Sequence, residues 1–309
     1  MAMTIAASEL PSPPFVAVEG VTNFRDIGGY PITGSDSKSV KRGFVYRSAN
    51  PSGITDDGLK TLVSALGIRV IFDLRLQQEV TMCKIKKFPG VETIHIPVDS
   101  NSWAYPLPEE LLSFQGLLEG NYRARWYAEI MFAGLFRRVF EHVRDKPDEP
   151  FLIHCFAGMD RTGVLVALML RIAGVSEDVV VNEFELTNIY IAARFDGKYG
   201  LAQGKQMKVS VRWLDEVYGG IEGYFKDVLK FQDEDIRKIK KNLVVREKPT
   251  LNFSENGVCL MMEQSLSSKA WCTSKFNVTF LASVFVPLTI FFYFLFSLGL
   301  FRGEQESVP

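Results

Sequence analysis

Short apolar runs and amphipathic stretches alternate along the chain between about positions 22 and 245. The run 68–74 predicts a strand, the alternation over 93–98 predicts a second, and Phe151–His154 a third. Helical spacing fills the intervals. Thr55 is placed to cap a helix over 56–66, with Asp56 and Asp57 favourable at the positive end of its dipole and Gly67 at its stop. Residues 123–143 carry apolar positions at helical spacing before a turn at 146–150, and 161–173 reads as an apolar helix ended by Gly174. Ser176 is the expected cap of the next helix, whose apolar positions include Val179, Val180 and Phe184. Further amphipathic helices over 211–243 break at Gly219 and Gly220. Strands alternating with helices in this order predict an α/β fold, a sheet flanked by helices.

The pattern changes at the C-terminal end. No charged residue occurs over 276–301, and 280–301 is almost wholly apolar, long enough to span a bilayer. Pro287 is tolerable in a membrane helix, while Tyr293 and Arg302 suit an interface. The N-terminal residues lack a basic stretch and carry Pro11, Pro13 and Pro14, so no secretory signal is expected. The expectation is a C-terminal transmembrane segment acting as a tail anchor, with the domain that precedes it in the cytosol. Lys269 and Lys275 on the domain side, against Arg302 beyond, agree with that orientation. The expected organisation is a disordered lead over 1–18, a folded α/β domain over 19–245, a linker over 246–275, the membrane segment over 276–301 and a short tail over 302–309.

Composition narrows the function. The chain has 309 residues, 47% of them hydrophobic, and a formal net charge of −1, so it has no basic excess for a polyanion. Nucleic acid is therefore excluded as an expected partner. Cys83, Cys155, Cys259 and Cys272 stand far apart without paired zinc spacing, so no metal and no cofactor is expected.

The chemistry concentrates in 151–164, FLIHCFAGMDRTGV, where an apolar strand ends on His154 and Cys155 before a short tight loop. Removing phosphate from an ester needs a nucleophile, a site for three phosphate oxygens and a proton donor for the leaving group. A loop entering a helix N-terminus aims several N–H groups at one point and adds the helix dipole. That field favours the thiolate of Cys155, the expected nucleophile. Phe156, Ala157, Gly158, Met159, Asp160 and Arg161 are the expected phosphate-binding residues, Arg161 through two parallel N–H bonds that lysine does not reproduce. Thr162 is placed to donate to the thiolate, and Gly163 to let the helix pack closely against the sheet. His154 carries no assigned proton transfer.

This segment resembles the C-x5-R loop of protein tyrosine phosphatases. It is closest to the bacterial and fungal tyrosine phosphatase family, including the secreted mycobacterial type, whose loop reads HCxAGKDRTG against HCFAGMDRTG here. NFRDIGGY at 23–30, YRSA at 46–49, FDLR at 72–75 and VYGGIEGYF at 217–225 extend the resemblance over about 20–245. It implies a tyrosine phosphatase-like sheet and a cysteinyl-phosphate intermediate, with Cys155 as nucleophile and Arg161 as phosphate ligand. The substrates implied are phosphoproteins, chiefly phosphotyrosine with dual specificity, or small phosphate esters. The general acid stays open between Asp73 of the DLR motif, which the resemblance suggests, and Asp160, with Asp99 a third candidate. Asp26 reads as a turn residue with Gly28 and Gly29 beside it. Met159 departs from the family lysine and removes a cation from the cradle, which counts against phosphoinositides as substrates. A weak phosphate-binding pseudophosphatase and a phosphoinositide phosphatase are the alternatives.

Overall fold

The computed structural model describes residues 12–85, 87–99, 105–112, 116–194 and 201–251. Among these the chain forms strands β1 (Arg25–Asp26), β2 (Pro31–Ile32), β3 (Ser35–Val40), β4 (Val45–Ser48), β5 (Val70–Asp73), β6 (Glu92–His95), β7 (Phe151–His154) and β8 (Val244–Val245). Five join in a sheet of order β1-β4-β7-β5-β6, and β2, β3 and β8 form a smaller one. In the larger sheet β1 is antiparallel to β4, whereas β4, β7, β5 and β6 are parallel. The register sets Ser48 beside His154, His154 beside Asp73 and Asp73 beside His95. Each is the last residue of its strand. One edge of the sheet therefore gathers the carboxyl ends, where open α/β sheets bind ligands.

Both faces of the sheet are covered, which is why its central strands read as continuous apolar runs. Phe151 and Ile153 join Val70 and Phe72 in the main core, while Leu152, Ile71 and Tyr46 face a second cluster with Val21, Phe24 and Leu62. The helices are α1 (Asp56–Lys60), α2 (Gln77–Met82), α3 (Glu109–Leu112), α4 (Tyr122–Phe132), α5 (Arg137–Asp145), α6 (Asp160–Ala173), α7 (Glu177–Glu185), α8 (Thr187–Arg194), α9 (Gly204–Tyr218), α10 (Ile221–Asp227) and α11 (Asp233–Leu243). Helix α6 buries twelve of its fourteen residues, as an apolar helix inside the helical layer must, and Gly174 ends it at φ +95°.

Several expected boundaries move. The helical stretch 123–143 is two helices, because Gly134 turns the chain at φ +65° between α4 and α5. Thr55 does cap α1, accepting from the Gly58 N–H at 3.1 Å, and a π turn over Thr61–Ala65 continues it. Ser176 stands at the N-cap of α7 without its side chain capping the helix. The domain also reaches beyond both expected limits. Phe15 and Val18 are core residues, and the buried Leu251, with Thr250, donates its N–H to the Gly29 carbonyl. The linker expected from 246 is thus folded onto the domain as far as Leu251. The expected membrane segment over 276–301 lies outside the described residues; among the described residues no helix is long and apolar enough to cross a membrane.

Candidate active site

The loop 155–159 joins the carboxyl end of β7 to the N-terminus of α6. Donors outside it engage its carbonyls. Asn50 N–H donates to Phe156 O at 3.0 Å, Gly163 N–H to Met159 O at 2.7 Å, and Asn23 and Arg47 reach the carbonyls of Ala157 and Gly158. The His154 ring, through Nδ1, lies 3.1 Å from Cys155 O. Among the described residues the N–H groups of Phe156, Ala157, Gly158 and Met159 donate to no backbone acceptor, which leaves them available to an anion at the N-terminus of α6. Gly158 is required twice over. Its φ is +66°, and a Cβ there would sit 2.3 Å from Ser48 O.

Cys155 is buried, 2% exposed, at the floor of this loop. Two neighbours, Thr162 and Gly163, differ from expectation, and Met159 agrees with it. Thr162 Oγ1 is buried with no hydrogen-bond partner among the described residues, so the expected donation to Cys155 is not formed. Gly163 makes room not for the sheet but for α7, since a Cβ would meet the Phe184 ring at 2.7 Å. Met159 turns its side chain into the main core, leaving only its backbone to face phosphate.

Arg161 opens α6 and meets a residue that motif reading missed. Its Nη1 donates to Glu79 Oε2 at 2.6 Å and its Nη2 to Glu79 Oε1 at 2.8 Å. Burial works against the Arg161 charge, but the Glu79 bonds, with the charges of Cys155, Glu79 and Asp160, outweigh it and raise the pKa. Guanidinium carries five N–H groups, so this grip leaves Nε and the second Nη2 hydrogen as a parallel pair for a phosphate. Glu79 is itself fixed by the Leu76 N–H at 2.7 Å. The only sequence signal for Glu79 was its place three residues after the helix cap.

The two candidate acids have opposite surroundings. Asp73, at the end of β5, is clamped by Arg75, whose Nη2 donates to Oδ2 at 2.7 Å and whose Nε and backbone N–H donate to Oδ1. Burial pushes the Asp73 carboxyl up, but the bonds from Arg75 and the Arg75 charge hold it below the usual range. It is kept ionised and spoken for, which argues against the expected role of proton donor. Burial drives His154 down to about 4, so its ring is neutral, with Nε2 3.6 Å from Asp73 Oδ1. Asp160 is the reverse case. Burial raises its pKa against the Tyr127 hydroxyl bond and the charges of Arg123 and Arg161. Tyr127 has its own pKa raised well above the ordinary value by burial and by Asp160, so it stays a donor. Asp99 follows β6, its N–H bonded to the Tyr105 hydroxyl at 2.9 Å. Asp26 holds a turn, accepting from Gly28 and Gly43, each at 2.8 Å.

A model of the tyrosine phosphatase family matches residues 16–245. A candidate tyrosine-protein phosphatase of Cupriavidus necator is 26% identical over 248 residues, covering 72% of this chain and 86% of its own length. The triple specificity protein phosphatase PtpB of Mycobacterium tuberculosis is 26% identical over 259 residues, covering 67% of this chain and 91% of its own. Among solved structures, the core catalytic domain of the PP-IP phosphatase SIW14 from S. cerevisiae is similar at 18% identity and a TM-score of 0.32, over 60% of this chain and 83% of that one.

Proposed function

Because this chain belongs to the tyrosine phosphatase family, we propose that it hydrolyses phosphotyrosine in proteins and related aryl phosphates through a phosphoenzyme on Cys155. One observation carries the reading: a buried cysteine begins a loop that leads into the N-terminus of α6 and whose N–H groups donate to no backbone acceptor among the described residues, beside an arginine held at one edge by Glu79. Sγ of Cys155 attacks phosphorus; the S–P bond forms as the bond to the leaving oxygen breaks. The loop N–H groups and Arg161 hold the three equatorial oxygens, whose charge is best matched in the transition state. Asp160, raised in pKa, gives its proton to the leaving tyrosyl oxygen. Its carboxylate then takes a proton from the water that attacks the phosphocysteine and releases inorganic phosphate, returning the thiolate.

The test is release of inorganic phosphate from a phosphotyrosine peptide by wild type and Cys155→Ser. Turnover lost in the variant, with phosphate binding retained, is the expected result. Wild type that binds phosphate without releasing it from any ester would identify a binding module instead.

The apolar stretch 276–301 supports a second part of the reading, a C-terminal membrane anchor that leaves the catalytic domain in the cytosol. Since Leu251 packs in the core, the truncation that tests it ends after position 251. Full-length protein should stay with membranes through carbonate extraction, and the truncated protein should be soluble with unchanged specific activity. Release of the full-length chain by carbonate would overturn the anchor.

A further inference from the structure

Behind the loop lies a group of polar side chains that the reaction does not use. Arg25 and Arg47 are 0% exposed, Glu183 1% and Asn23 2%. Glu183 takes Arg25 Nε on one oxygen at 2.7 Å and Arg47 Nη1 on the other at 2.6 Å. Arg25 also donates to Asn23 Oδ1, to Glu183 O at 3.1 Å and to Thr187 Oγ1 at 3.0 Å. The free ends of the group all point one way. Asn23 Nδ2 donates to Gly158 O at 3.1 Å and lies 3.3 Å from Ala157 O, while Arg47 Nη2 donates to Gly158 O at 2.7 Å.

We propose that Asn23, Arg25, Arg47 and Glu183 are a buried clamp that sets the shape of the phosphate-binding loop, and so are positioning residues for phosphate transfer. The proposal rests on the phosphatase reading of that loop. Turning a peptide carbonyl outward turns its N–H partner inward, so a grip on the carbonyls of Ala157 and Gly158 aims the N–H groups of Gly158 and Met159 at the anion. Asn23 is held at φ +57°, a left-handed conformation that asparagine tolerates better than most residues and that stores strain where geometry matters. Stability alone is a poor explanation for the group. Three charges taken out of water cost several kcal/mol each, and an apolar replacement of such a triad is often as stable or more so. Geometry is what apolar residues cannot supply, because none of them donates to a carbonyl. Glu183 balances one arginine of the two, leaving one positive charge behind the loop that receives a phosphate dianion. The clamp also gives a physical role to the NFRDIGGY and YRSA segments, 23–30 and 46–49, which bring Asn23, Arg25 and Arg47 to one point through β1 and β4.

The experiment compares wild type with Asn23→Ala, Asn23→Asp and Arg47→Met, reading affinity for inorganic phosphate and for orthovanadate by calorimetry alongside kcat and KM for an aryl phosphate. Irreversibly misfolded molecules lower the calorimetric stoichiometry and not the fitted affinity, and variants shown to be fully folded by circular dichroism at the assay temperature carry no folding equilibrium into it. Asn23→Ala should weaken anion affinity about tenfold. Asn23→Asp, which keeps the oxygen toward Arg25 but turns an acceptor on two carbonyls, should weaken it further. The loss in kcat/KM should follow the loss in affinity. If Arg47→Met does not fold, the two Asn23 variants decide the matter. Folded Asn23 variants with wild-type anion affinity, or activity lost only in step with the folded fraction, would overturn the clamp. Wild type that binds anion without turnover would instead overturn the phosphatase reading, and the affinities would still judge the clamp.

Discussion

A carboxyl group donates a proton only if it still holds one during turnover, and the raised pKa of Asp160 against the lowered one of Asp73 is the reason Asp160 is the acid we propose. Asp160→Asn should slow phosphotyrosine, whose leaving oxygen needs a proton, by about 100-fold, and p-nitrophenyl phosphate far less. Because the Asp160 pKa is raised, kcat for phosphotyrosine should fall on the alkaline side as this group loses its proton, and that limb should vanish in Asp160→Asn. Asp73→Asn should instead lower stability, with equal effects on both substrates; the opposite assignment of these phenotypes would restore Asp73 as the acid. Arg161→Lys should cost several kcal/mol of transition-state stabilisation, since a lysine cannot keep one edge on Glu79 and present another to phosphate. Steady-state kinetics with little change would refute that division of the guanidinium. Cys155 and Arg161 were legible because the loop that joins them is contiguous in sequence. Glu79 and Tyr127 were not, because they reach the loop across 82 and 33 positions and no local pattern records such a meeting.

At the scale of elements, β7, the loop and α6 are one device. Gly158→Ala combines a positive φ with a 2.3 Å approach to Ser48 O, so it should destabilise the domain by about 2–4 kcal/mol and reduce phosphate binding. Denaturant melts and phosphate titration check both, and wild-type values would mean the loop is not packed on β4. The elements read correctly from sequence were the continuous apolar runs of β5 and β7, the strand at β6, the helices after Thr55 and Ser176, α6, and the α9 to α11 region. Two-residue strands such as β1 and β8 carry too few positions to show alternation, and their pairing is decided by partners far along the chain. The missed break in 123–143 has the same origin, since apolar spacing continues through Gly134 and only the backbone there departs from helix.

For the whole molecule, burial at the centre of the sheet makes stability depend on pH. An unfolded chain protonates His154 below about pH 6.5, whereas in the folded protein burial holds it neutral down to about 4. The unfolded state then binds the extra proton, so stability falls as pH drops through the window between those values, by on the order of 3 kcal/mol. Denaturant unfolding of wild type and His154→Gln should show a flatter pH slope in the variant over that window; equal slopes would mean His154 does not titrate differently on folding. The sheet and its helical cover were legible in the sequence, while the burial of Phe15 and Leu251, outside the expected limits of 19–245, emerged only from packing. The decisive measurement is acid quench of the enzyme during turnover of a phosphotyrosine peptide, followed by mass spectrometry of the peptide that carries Cys155. Phosphate attached to Cys155 in wild type, forming at least as fast as turnover, is the predicted result. Product release with that peptide never phosphorylated, or with phosphate on another residue, would contradict a Cys155 phosphoenzyme.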